Sequence, residues 1–251
     1  MIFDTHAHYD DSRFDGIRDE IIKQLPKNDV AGVINCAVDI ASAEVCISLA
    51  HTYDFFYAAV GYHPENITAD TVFDLSKMSE LAADKKTVAI GEIGLDYYWS
   101  TDNKELQKQF FENQVIFANE HNLPVIIHDR EAHADTLDII KRYNPGGVVH
   151  CFSGSAEMAR EIIKTGMYIG VGGVLTFKNA KKIQEVAKSI PLDRILLETD
   201  APYMAPEPHR GKINNSAYIK FVAEKLAELR GDTTENILKI TKENAEKLFN
   251  I

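Results

Sequence analysis

Eight short apolar runs alternate with helical stretches from one end of this chain to the other. They are Ile2 to His6, Ala31 to Ala37, Phe55 to Val60, Val88 to Ile93, Val125 to His128, Val148 to Cys151, Tyr168 to Val171 and Ile195 to Glu198. Runs mostly unbroken by polar residues suit parallel strands covered on both faces. Parallel neighbours need crossovers, and helices supply them. Leu106, Phe110 and Phe117 share one face of a helix expected from about Asn103 to His121, and Phe111, Val115 and Ala118 widen that stripe. Asp232-Thr233-Thr234-Glu235 reads as a capping box opening a final helix to about Phe249.

This alternation predicts an α/β fold, and specifically a (β/α)8 TIM barrel. A doubly wound open sheet would alternate in the same way, but no G-x-G-x-x-G or P-loop follows the first strand. The 251 residues match one such barrel. With no low-complexity stretch or Pro/Gly-rich linker, residues 1–251 are expected to form a single domain.

Active sites of these barrels form at the C-terminal ends of the strands. Metal-ligating residue types gather there. His6 and His8 close the first strand, with both imidazoles on one face by the period of two. Glu92 sits in Gly91-Glu92-Ile93-Gly94 on the fourth, His128 ends the fifth, His150 ends the sixth, and Asp200 follows the eighth. His63, in Tyr62-His63-Pro64, lies near this ring. Buried carboxylates and imidazoles that converge without cations are costly. Six ligands exceed what one ion needs and suit two ions sharing a carboxylate. Glu198 alternates away from Asp200 and is the weaker ligand candidate, and Cys151 is expected on the face opposite His150, packing as a small hydrophobe. His51, His121 and His133 fall in helices or at helix ends and are expected to face solvent.

Charge and cysteine usage exclude some classes. The formal net charge of −11 repels polyanions on average. Three cysteines without regular spacing make no disulfide framework. With strand residues at its start, the chain is expected to lack a secretory signal and to be cytoplasmic. No apolar run approaches the length that spans a bilayer, so no membrane partner is expected.

Phe3-Asp4-Thr5-His6-Ala7-His8, Gly61-Tyr62-His63-Pro64, Gly91-Glu92-Ile93-Gly94-Leu95-Asp96-Tyr97, His150-Cys151-Phe152-Ser153-Gly154 and Leu197-Glu198-Thr199-Asp200-Ala201-Pro202-Tyr203 together resemble the TatD-type metal-dependent deoxyribonucleases. The resemblance covers essentially the whole chain. It implies an amidohydrolase-like barrel, two divalent metal ions and phosphodiester hydrolysis on DNA. It also implies His6, His8, Glu92, His128, His150 and Asp200 as the ligands. In that picture His6, His8 and Asp200 hold one ion, His128 and His150 the other, and Glu92 bridges them. Asp200 accepts the proton of the attacking water and His63 donates to a phosphate oxygen or the leaving group. Imidazoles favour zinc, whereas carboxylates and phosphates favour magnesium or manganese.

Tyr97-Tyr98-Trp99 follows the fourth strand and offers rings on which bases stack. Arg130, Arg210 and Lys212 are the candidates for gripping phosphates. The expected footprint is short, at a free strand end, with no stable protein partner. Two alternatives compete: an amidohydrolase-type enzyme cleaving a small ester, lactone or amide, and a metal-binding protein without turnover.

Overall fold

A computed structural model describes residues 1–99 and 101–251. Eight strands form one parallel sheet in sequence order: β1 Ile2–Ala7, β2 Val30–Cys36, β3 Phe56–Val60, β4 Thr87–Asp96, β5 Val125–Arg130, β6 Gly147–Val149, β7 Tyr168–Val171 and β8 Ile195–Leu197. The ends meet through a parallel bridge between Ala7 and Ala201, where His8 N–H donates to Ala201 O at 2.7 Å. The sheet is therefore a nearly closed (β/α)8 barrel, as the alternation predicts.

Around it run α1 Arg18–Gln24, α2 Ile40–Thr52, α3 Leu75–Ala82, α4 Lys104–His121, α5 His133–Tyr143, α6 Ala156–Lys164, α7 Lys181–Ser189, α8 Ile219–Arg230 and α9 Thr234–Phe249. Their ends follow local chemistry. Asp39 and Ser42 form a capping box at the start of α2. Asn122, Asn144 and Gly231 end α4, α5 and α8 in the left-handed region. The cap of α9 sits one residue later than expected. Thr233 is the N-cap and accepts Asn236 N–H, because Gly231 and Asp232 complete the turn out of α8.

Strand alternation divides the core in two. Ile34, Cys36, Ala59, Ile126, Val148 and Leu196 cluster together, and α9 adds Ala245 and Phe249 to them. Val33, Val60, Ile90, Ile127, Val149 and Ile169 belong to the larger cluster, with the surrounding helices. Each strand is thus apolar on both faces, and the chemistry is left to the strand ends. Gly94 shows how closely β4 and β5 meet there: a Cβ on it would lie 2.0 Å from the His128 carbonyl oxygen. Among the described residues no helix is long and apolar enough to cross a membrane.

Candidate metal centre

The residues expected to ring the strand ends do converge. Glu92, 2% exposed, is at their middle. Its Oε2 lies 3.2 Å from His6 Nε2 and 3.3 Å from His8 Nε2. Its Oε1 lies 2.8 Å from both His128 Nδ1 and His150 Nε2, and 3.4 Å from His63 Nε2. Each carboxylate oxygen thus faces a different set of imidazoles. Asp200 Oδ1 completes the first set, 3.5 Å from His8 Nε2 and 3.8 Å from His6 Nε2.

The donors fit divalent cations. His8 Nδ1 lies 2.8 Å from Cys36 O, an acceptor, so the ring proton is on Nδ1 and Nε2 is bare in the neutral form. That bare nitrogen is 3.0 Å from His6 Nε2. Burial pushes the His6 pKa down to about 4, so its ring stays neutral and keeps a lone pair to offer a cation. For Glu92 burial acts upward, but His150, His63, His6 and His128 around it win and hold it well below the usual carboxylate range. Burial opposes charging His128 too, and its bonds to Asp96 and Glu92 override that, to about 10. Among the described residues four triads, His6–His8–Glu92, His6–His150–Asp200, His63–Glu92–His128 and Glu65–Asp96–His128, have ligand atoms within 4.8 Å of one another.

His63 differs from the other imidazoles. It caps a short turn, and its Nδ1 accepts Glu65 N–H at 3.2 Å. In the neutral ring the proton therefore sits on Nε2, aimed toward Glu92 Oε1. That suits a proton donor better than a ligand.

Above the ring lies a cleft of about 770 Å³ with Arg130, Trp99 and Tyr203 in its walls. The Arg130 guanidinium stands 3.9 Å from the Tyr98 ring centre and 5.3 Å from that of Trp99. Tyr97 lies outside this cleft. Its hydroxyl donates to Asp135 at 2.7 Å, and it lines an adjoining cavity of about 670 Å³ that shares Arg130 and Ser153. Arg210 rests on the Phe177 ring at 4.4 Å and Lys212 is exposed, and neither is among the described residues lining the cleft.

Three placements differ from those expected. β8 ends at Leu197 and Asp200 has φ 59°, so strand alternation does not extend to Glu198 and Asp200. Glu198 is fully buried, accepts Cys151 N–H, and lies 3.9 Å from His150 Nδ1. Cys151, with φ 41° just past β6, half-buried, lines the cleft instead of packing behind it. His133 is half-buried, its Nδ1 2.7 Å from Asp129 Oδ2. Asp96 joins the site as well, 2.9 Å from His128 Nε2, and the period of two from Glu92 through Gly94 is the sequence signal that leads to it.

The sequence matches the model of a family described as TatD related DNase over residues 3–250. It is 46% identical to the uncharacterized metal-dependent hydrolase YabD of Bacillus subtilis over 254 residues, covering 100% of both chains. It is 36% identical to the uncharacterized metal-dependent hydrolase YcfH of Escherichia coli, covering 100% of this chain and 96% of that one. The crystal structure of YjjV, a TatD homolog from Escherichia coli, superposes with a TM-score of 0.91 at 33% identity, covering 100% of this chain and 98% of that one.

Proposed function

The chain belongs to the TatD-related DNase family of metal-dependent hydrolases, and on that premise we propose that it cleaves phosphodiester bonds near the free end of single-stranded DNA. The observation that carries this reading is the stack of Arg130 on Tyr98 and Trp99 at the mouth of a cleft floored by imidazoles and carboxylates. Trp99 is 64% exposed, so an indole face is open to a base while the guanidinium beside it is open to a phosphate. The formal charge of −11 opposes long nonspecific duplex contact and favours a short grip on a few nucleotides.

His6, His8 and Asp200 would hold one divalent ion and His128 and His150 a second, with Glu92 offering one oxygen to each. Such ions supply charge stabilisation to a phosphodiester and activate water. The chain's own groups do the rest. Asp200, whose side chain is 20% exposed, accepts a proton from the attacking water. His63 presents Nε2–H toward the departing oxygen. Arg130 holds the neighbouring phosphate.

The test is turnover of end-labelled single strands against a panel of lactones, esters and amides, each with magnesium, manganese and zinc. Cleavage of the strands supports the reading. Turnover confined to the panel would move it to the small-substrate hydrolase, and no turnover of either by fully loaded protein would sink both.

A further inference from the structure

Asp96 closes β4 four residues past Glu92 and is 1% exposed. Its two carboxylate oxygens face two different structures. Oδ2 lies 2.9 Å from His128 Nε2. Oδ1 accepts the backbone N–H of Tyr98 at 2.9 Å and of Trp99 at 3.2 Å. The Asp96 backbone is fixed independently by Gln107, whose Oε1 accepts Asp96 N–H at 2.9 Å and whose Nε2 donates to Asp96 O at 3.0 Å. The carboxylate is thus held in place while it contacts the ring facing Glu92 on one side and the aromatic loop on the other.

We propose that Asp96 is a positioning residue that holds His128 with its proton on Nε2 and its Nδ1 bare toward Glu92, and that through the same carboxylate it couples ion binding at His128 to the placement of the Tyr98–Trp99 loop. This rests on the metal-centre reading and does not depend on which ester is cleaved. Both ring nitrogens face carboxylates, Nε2 on Asp96 and Nδ1 on Glu92 Oε1 at 2.8 Å, and an ionised carboxylate only accepts. An ion held by Glu92 would take the place of the proton on Nδ1, while Asp96, behind the ring, keeps the proton on Nε2. A carboxylate behind a ligating imidazole also raises its basicity, and such partners are typically worth about 10–100-fold in metal affinity. His8 is held in the opposite sense, with Nδ1–H on Cys36 O and Nε2 bare. His150 Nδ1 has no hydrogen-bond partner among the described residues. Of the two imidazoles on Glu92 Oε1 assigned as ligands, His128 therefore has the firmer anchor, and that anchor also holds the loop carrying the sole tryptophan.

The test uses protein carrying ¹⁵N-labelled histidine and loaded with ¹¹³Cd, comparing wild type with Asp96→Asn and Asp96→Ala. Wild type should show cadmium coupling to His128 Nδ1 with a proton on Nε2. In Asp96→Asn the amide oxygen accepts from the loop and its N–H₂ faces Nε2, which drives the proton to Nδ1. Coupling to Nδ1 should disappear, and cadmium affinity at that position should fall about 10–100-fold, with the His6–His8 position unchanged. Trp99 emission should respond to cadmium in wild type and lose that response in Asp96→Ala. Retained Nδ1 coupling with unchanged affinity in a folded Asp96→Asn would overturn the proposal. If that variant does not fold, wild type alone decides, since coupling to His128 Nε2 overturns it equally. Wild type that takes up no cadmium overturns the metal-centre reading beneath it.

Discussion

Asp4 and Thr199 join the two ends of the barrel sheet: the Asp4 carboxylate accepts Thr199 N–H at 3.0 Å and the Thr199 hydroxyl at 2.6 Å. The next residue, Asp200, donates its N–H to His6 O at 3.0 Å, so this seam also sets where Asp200 stands. Thr199→Val keeps the backbone bond and removes the hydroxyl, which also accepts Ala201 N–H at 3.1 Å. A buried carboxylate losing one donor and a backbone donor losing its acceptor should together cost about 1–3 kcal/mol. Urea unfolding reads this directly, and a loss under about 0.5 kcal/mol would show that the seam is held by other contacts.

Asp4 also gives a pH signature. Burial raises its pKa to about 6 in spite of the bonds from Thr199. A raised carboxyl favours the protonated native state, so its contribution is present below the unfolded value near 4 and is lost as pH rises through about 6. In chelator-treated protein, wild type should lose stability relative to Asp4→Asn across that window, by roughly 1.4 kcal/mol per pH unit at the steepest. Parallel stability profiles for the two proteins from pH 4 to 7 would refute this.

The barrel and the convergence of the candidate ligands were legible because both follow periodicity. Apolar runs repeat eight times, and His6, His8, Glu92 and His128 lie on or just past the C-terminal halves of their strands, above the core residues. What escaped lies where the period stops. Glu198 and Asp200 follow the short strand β8, and with φ at 59° Asp200 faces His6 and His8 while Glu198 lies near His150. Arg130 and Arg210 look alike in sequence. Only tertiary packing places one in the cleft on Tyr98 and Trp99 and the other on Phe177.

Glu92→Gln changes little volume but removes the charge that both imidazole sets share. Bound metal, read by elemental analysis, should fall below the wild-type content, and turnover should drop by more than about 100-fold. Circular dichroism should show the barrel intact, since Ile34, Ile126, Val148 and Leu196 pack beneath the site regardless. Wild-type metal content with near-normal turnover would show that Glu92 is not the shared ligand.

His63 separates ligation from proton donation. Its Nδ1 is engaged with Glu65 N–H, which leaves the proton on Nε2. His63→Ala should therefore keep the wild-type metal content and lose rate by about 10²–10⁴-fold, the usual worth of one placed proton donor. Turnover of a substrate whose leaving group needs no proton should suffer less. Loss of an ion in this variant would make His63 a ligand.

Salt tests the substrate. Each phosphate neutralised on a single strand contributes a log–log slope of about −0.7, so two or three contacts give roughly −1.5 to −2. Arg130 lines the cleft with the Tyr98 and Trp99 rings against its guanidinium, and among the described residues it makes no ion pair. Arg130→Ala should weaken binding of even a dinucleotide and flatten the slope by about 0.7. Arg210 and Lys212 stand off the cleft, so Arg210→Ala and Lys212→Ala should matter only for strands long enough to reach them. A neutral lactone carries no condensed counterions and should bind with little salt dependence. If KM for DNA ignores both salt and Arg130→Ala, the cleft does not grip phosphates, and a small neutral substrate becomes the better reading of the same metal-binding floor.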